Sequence, residues 1–349
     1  GLVLCNAMLN GSPIRGDMII SAEPNDITGI HAGDSISAEC TAVYVPNAAF
    51  GTYNERIAKL SVGISLQGRA SSGGIRVEGS RSAWRFAVAA DVRGDLEGTI
   101  DSVFGEKAPI VKGFLLGEKD DISAEDYSDF KTAGVAHILT LSGFHVGLIS
   151  GLLLYALPKR RPLLRFGVIV IFLFAYCAVT GFAASLVRAS LMCGCMLLAG
   201  AASRRADPLS SLSLACIIIL AANPFKLFSA GFMLSFAATL GILMMTAAGR
   251  RSMGSRIADN ALSAATATLG ATAATFLITA RCFGYVQSYS LIGNLLCVPL
   301  FSAAVVMSFI ILLIGLAAPG LAQLLAVLPN AVIGAAGWLL RQIASLPYA

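Results

Sequence analysis

The sequence predicts a mainly α, polytopic membrane helix bundle of about eight segments, preceded by a small N-terminal β module that is exported. Three observations carry this expectation. Hydrophobic residues make up 56% of the 349 residues and charged residues 13%, against roughly 45–50% and 25% in soluble domains. The charges are also divided unevenly: residues 1–130 hold 18 acidic and 11 basic side chains, residues 131–349 hold 2 acidic and 14 basic. From Val135 onward the chain runs in apolar stretches near the ~20 residues that cross a bilayer.

Residues 1–80 read as short strands. Met18 to Ser21 and Asp34 to Val45 gather β-forming residues, and Leu60, Val62, Ile64 and Leu66 fall on one face of a third strand. Breaks stand at Pro24-Asn25, Gly33-Asp34 and Pro46-Asn47, and Ser71 to Gly74 reads as a hinge. Residues 81–134 read as helices at the membrane surface or packed on the β module. One of them begins at Trp84 and places Val88, Val92, Leu96, Ile100 and Val103 on one side. Residues 135–349 form the membrane domain, with segments at 135–157, 163–181, 185–202, 209–222, 228–248, 258–280, 288–316 and 321–346. Lys159-Arg160-Arg161 with Arg165, Arg204-Arg205, and Arg250-Arg251 with Arg256 occupy every second loop. That alternation puts loops 158–165, 203–208 and 249–257 in the cytoplasm and residues 1–134 outside.

The most informative stretch is GVAHILTLSGFHVGLISG, Gly134 to Gly151. Gly143, Gly147 and Gly151 recur every fourth residue and leave one bare stripe along a helix, where another helix can approach closely in lipid. Histidine is costly in hydrocarbon and faces protein or a watery cavity. Around this stretch stand GFLLGEKDDIS (from Gly113), FKTAG (from Phe130), VRASLM (from Val187), ANPF (from Ala222), GFMLSFAATLGI (from Gly231) and IGNLLCVP (from Ile292). The ordered set, from about Ala108 to Ala303, resembles the ComEC family of competence proteins. Its signature reads here as Gly134, His137, Ser142, Gly143 and His145.

The resemblance implies an inner-membrane channel that passes single-stranded DNA into the cytoplasm during natural transformation. It implies an oligonucleotide-binding (OB-like) β module, of which the second half stands here and the first is missing. It further implies contact with the lipid bilayer, a DNA-receptor protein, a cytoplasmic helicase-like ATPase as energy source, and a homo-oligomer. Many family members also carry a metallo-β-lactamase-like domain with an H-x-H-x-D-H motif. Nothing in this chain matches it, because His31, His137 and His145 are its only histidines.

Several residues are candidates for the DNA path, each with a structural alternative. His137 and His145 differ by about 80° around a helix and share a face with Leu141. They line a polar cavity or make a helix–helix hydrogen bond. Arg188, at the outer end of the third segment, catches phosphate or snorkels to headgroups. Thr268, Thr272, Thr275 and Thr279 make a hydroxyl stripe, for which close packing is preferred over a wetted wall. Asn294, near the helix break expected at Pro299, is a deeper candidate, while Asn223 caps a helix end. The acidic run Glu118, Asp120, Asp121, Glu125, Asp126 and Asp129 reads as a solvated face. Cys5 and Cys40 could form a disulfide if the β module is exported, as the family's exported domain sometimes does.

No catalytic chemistry or cofactor is expected. Ser142 and His145 lie within reach of each other, but a protease needs an oriented base and an oxyanion hole, and regular helix backbone offers none. There is no H-E-x-x-H, and Gly113 to Lys119 lacks the spacing of a phosphate loop. A small-solute permease or exporter is the main alternative to the DNA channel, and an intramembrane protease the lesser one.

Overall fold

The computed structural model describes strand segments between residues 2 and 80 and residues 84–346, apart from 142, 249–255 and 284–288. It divides into two compact units. The first comprises Gly1–Asp91, Ile217–Met233 and Arg281–Phe283, and the second Val92–Cys216, Leu234–Ala280 and Gly284–Ala349.

The first unit contains β1 (Leu2–Leu4), β2 (Met8–Leu9), β3 (Ser12–Pro13), β4 (Asp17–Ser21), β5 (Asp34–Tyr44), β6 (Ala49–Phe50), β7 (Tyr53–Asn54) and β8 (Ile64–Ser80). One four-stranded sheet runs β1-β4-β8-β5, while β2-β3 and β6-β7 form separate ladders. β4 and β8 are parallel, and β5 runs antiparallel to β8. Alternation along the strands points Met18, Ile20 and Leu66 to one side, where they form a small core. The expected hinge at Ser71–Gly74 is instead part of β8. Ala38 pairs with Ile75 and Cys40 with Ala70, so the extra residues between them bulge out of the ladder. Small residues without packing demands absorb such a bulge, which is why the stretch reads as a break in sequence.

The helices are α1 (Trp84–Phe104), α2 (Ala108–Leu116), α3 (Ala124–Thr132), α4 (Gly143–Ala156), α5 (Pro162–Val179), α6 (Ala184–Ala201), α7 (Pro208–Ala222), α8 (Ala230–Ala248), α9 (Arg256–Phe283), α10 (Ser290–Ala317), α11 (Pro319–Leu325) and α12 (Val327–Ala344). Among the described residues, four stretches are long and apolar enough to cross a membrane: Pro162–Val179, Leu262–Cys282, Ser290–Ala317 and Pro319–Ala344. The apolar helices Gly143–Ala156, Ser185–Ala201, Pro208–Ala222 and Ala230–Thr246 are shorter. Leu163, Ile171 and Phe174 on α5 and Trp338 on α12 are exposed, as expected of side chains that meet lipid. This is a membrane protein.

α10 is not broken at Pro299; the proline sits inside a continuous helix. In a bundle, neighbouring helices tolerate the lost backbone hydrogen bond. The residues before the membrane helices share a core with them. Phe301 of α10 packs edge-on against Phe114 of α2, with ring centroids 5.6 Å apart, and lies 5.2 Å from Phe130 of α3. Gly293 permits this junction, because a Cβ there would overlap the Ala133 carbonyl.

An ionic frame fixes the loop between α2 and α3. Lys112, 7% exposed, places its Nζ 2.9 Å from both Asp101 Oδ1 of α1 and Asp121 Oδ2 of the loop. Arg93 binds Glu97 at 2.6 Å and Glu118 at 3.1 Å. The expected solvated acidic face is therefore partly structural. A lysine cannot be buried in α2 without carboxylates to receive it, and Asp121 serves that role. The two aspartates hold the Lys112 ammonium above its ordinary range.

Candidate functional site

The stretch expected as a single helix over 135–157 is split. Ala136–Leu139 form a 3₁₀ turn, Thr140 is extended, and α4 begins only at Gly143. Gly134 adopts φ +75°, a conformation natural to glycine, and turns the chain into this segment. The Thr140 hydroxyl donates to the His137 carbonyl at 2.8 Å and closes the turn. His137 and His145 therefore do not share a helical face. His137 is exposed in the turn, while His145 is fully buried on α4, beside the Phe144 ring at 6.1 Å.

The freed backbone is received by α6. The Ser185 hydroxyl donates to the Leu141 carbonyl at 2.5 Å. Gly117, with φ +76°, ends α2 against the same residue: a Cβ there would stand 2.9 Å from Leu141 Cδ1. Both the loop after α2 and the start of α6 are thus keyed to the turn before α4.

Arg188 lies one turn into α6 and is only 6% exposed. It does not snorkel, because its side chain runs inward between helices. Nη1 donates to the Ser235 carbonyl of α8 at 2.5 Å and to Thr239 Oγ1. The Thr239 hydroxyl passes its own hydrogen to the Ser235 carbonyl at 2.9 Å. The guanidinium stands 5.7 Å from the Phe236 ring centroid, within cation–π range. Nη2 lies over Gly143, 3.0 Å from where a Cβ would be, and the Ala189 methyl is 3.4 Å from the same point. Arg93, Lys112 and Arg341 are ion-paired, whereas Arg188 meets no carboxylate among the described residues. Arg188 is thus a buried cation held by neutral acceptors at the meeting of α4, α6 and α8.

The other expected residues are scattered. Among the described residues, nothing from another helix stands within 4 Å of a Cβ at Gly147 or Gly151, so of the stripe only Gly143 is closely approached. Thr275 back-bonds to the Ala271 carbonyl at 2.8 Å. The close contact of α9 with α8 uses Gly270 and Gly241, where either Cβ would overlap the opposing carbonyl. At 100° per residue Gly270 lies far around the helix from Thr268, Thr272, Thr275 and Thr279. Asn294 is half-buried with Oδ1 lacking a partner, and Asn223 caps a 3₁₀ turn by accepting from Phe225 N–H at 3.0 Å. Ser142 and Cys5 lie outside the described residues, and with them the Ser142–His145 pairing and the Cys5–Cys40 bond. Among the described residues, no group of three His, Cys, Asp or Glu side chains could hold a metal ion.

Ser235, Thr239 and Ser185 were missed in the sequence. Their signal is faint: only Thr239 receives Arg188 through its hydroxyl, while Ser235 does so through a backbone carbonyl that any residue would supply. Lys112 was missed for a similar reason, although a lysine inside APIVKGFLL requires a nearby acid.

The family model for competence proteins matches residues 114–349, which contain all of this cluster. The chain belongs to the competence protein family. It is 32% identical over 137 residues to ComE operon protein 3 of Bacillus subtilis (strain 168), a match that covers 39% of this chain and 18% of that relative. The chain thus matches less than a fifth of that relative's length. No solved structure matches it. The family's matched region begins at Phe114 and so takes in the Gly117 loop, the split turn, Arg188 and its acceptors on α8.

Proposed function

We propose that this chain is the core of an inner-membrane channel for uptake of single-stranded DNA during natural transformation. The observation that carries the reading is Arg188: a buried guanidinium with no carboxylate partner among the described residues, inside apolar helices of a competence-family protein. A cation in that setting is costly and marks a route for an ion or a charged substrate. Duplex DNA carries about one negative charge per 1.7 Å of axis, and its single strands are likewise polyanionic, so bare hydrocarbon is impassable to them.

In this reading the eight apolar segments all cross the membrane. The Lys/Arg-rich loops 158–165, 203–208 and 249–257 face the cytoplasm, and the β module, read as OB-like, faces outward. His137, Ser142, His145, Arg188, Asn294, Thr268, Thr272 and Thr275 are the path candidates. Energy comes from a cytoplasmic helicase-like ATPase, DNA arrives from a receptor protein, and the chain itself performs no bond chemistry. The open Gly147 and Gly151 are available to a second copy in a homo-oligomer.

Uptake of labelled DNA, measured alongside membrane abundance in a deletion strain carrying Arg188→Gln, tests this. Normal abundance with strongly reduced uptake is expected. Normal uptake by the deletion strain itself would overturn the reading in favour of a small-solute permease.

A further inference from the structure

A guanidinium offers five N–H donors in a rigid fork, and phosphate is gripped best by two parallel donors on one edge. Among the described residues, Arg188 finds acceptors for Nη1 alone, at Ser235 and Thr239. Nε is buried and has no partner among the described residues. Nη2 projects over the space that Gly143 leaves by lacking a side chain. The Nε–Nη2 edge, the one suited to a two-oxygen grip, is therefore unused. Its Nε end is closed off, with no access to solvent. A two-oxygen grip needs Nε as well as Nη2, so an anion takes the edge only when α4, α6 and α8 part at this level. Among the described contacts, α6 is tied to α8 there by the Nη1 hydrogen bonds and by the Phe236 ring under the guanidinium.

We propose that Arg188 is a latch operated by phosphodiester. Resting on the DNA-uptake reading, the proposal is that one backbone phosphate of the incoming strand takes the Nε–Nη2 edge. The guanidinium then leaves the Ser235 carbonyl and the Thr239 hydroxyl, and α8 is released from α6. No covalent bond changes: two hydrogen bonds to neutral acceptors are exchanged for two charge-assisted ones. The path opens where a strand is present and stays shut otherwise, which protects the membrane from ion leakage. Gly143 is part of the device, because any side chain at that position would fill the space into which the free edge projects.

The test uses the protein in phosphatidylethanolamine/phosphatidylglycerol nanodiscs, with short oligothymidylate and its uncharged methylphosphonate counterpart as probes. The expected results are preference for the charged backbone in the wild type, loss of that preference in Arg188→Gln, and weak binding in Arg188→Lys, whose ammonium is a point charge. Thr239→Val removes a competing acceptor and should tighten oligothymidylate binding about fivefold, the equivalent of one neutral hydrogen bond. Thr239→Ser keeps the hydroxyl and should behave as wild type, which separates the latch from a folding defect. Hydrogen exchange at the amides around Ser235–Thr239 should rise when oligothymidylate binds. Charged-backbone preference surviving Arg188→Gln overturns the proposal, as does unchanged exchange in α8 on binding. Wild-type uptake and binding with no effect of Thr239→Val removes the latch alone. Absence of oligothymidylate binding in every variant, together with normal uptake by a deletion strain, removes the latch and the uptake reading together.

Discussion

Arg188 Nη2 stands 3.0 Å from the point a Cβ on Gly143 would occupy, so a glycine of α4 and an arginine of α6 share one space. The opposed atom is the far end of a flexible side chain, and it can shift when crowded. Gly143→Ala should therefore cost little stability, about 1 kcal/mol at the low end of overpacking effects. It should nonetheless move the guanidinium and lower DNA uptake several-fold. Gly147→Ala, where nothing lies within 4 Å, is the control. Equal uptake by the two variants, at matched membrane abundance, would sink the pairing.

The contact of Gly241 with Gly270 is of another kind. There backbone opposes backbone, which cannot yield without separating α8 from α9. Gly241→Val should cost roughly 2–3 kcal/mol or more and deplete the protein from the membrane fraction. Thermal unfolding in detergent and immunoblotting of membranes would read this. Wild-type accumulation would mean that α8 and α9 do not touch at these residues.

Lys112 joins two aspartates across α1 and the loop after α2. Lys112→Met removes the charge that both face and should destabilise by roughly 1–2 kcal/mol, discounted because Asp101 and Asp121 are half exposed. The folded ammonium is held above its ordinary 10.5. Its stabilisation is therefore fully present below that value and lost only as strongly alkaline pH is reached. A wild-type melting temperature falling between neutrality and mild alkalinity, with Lys112→Met flat over the same range, would contradict this.

Glu118 behaves oppositely. Burial raises its pKa above the ordinary 4.5, with the neighbouring Glu97 adding to the effect and Arg93 opposing it. The folded state binds the proton more tightly than the unfolded one, so stability rises as pH falls through the folded value toward 4.5. Asp129 should add the same trend, since burial and then Asp126 and Glu125 raise its carboxyl. Glu118→Gln should flatten the trend in melts on the acid side of neutrality. An unchanged slope in that variant would refute the assignment.

Orientation is testable without any structure. A reporter active only in the cytoplasm should work when attached after Gly254 and fail near Gly74. The reverse pattern would invert the topology drawn from the Lys/Arg loops.

Composition and apolar periodicity were enough, in the sequence alone, to determine a membrane protein with an N-terminal β module, because burial in lipid demands long apolar helices and little charge. The ordered glycine, histidine and asparagine motifs were enough to point to the competence family. Pattern could not show that Gly134 and Thr140 break the segment before α4, since an apolar run reads the same whether it forms one helix or a turn followed by a helix. Nor could it show that Arg188 turns inward. A cation near a helix end can reach headgroups or a neighbouring helix, and the choice rests on whether acceptors stand opposite. Ser235 and Thr239, some fifty residues away in sequence, are those acceptors. The tertiary structure decided this point, because a buried charge takes its meaning from the partners that packing brings to it.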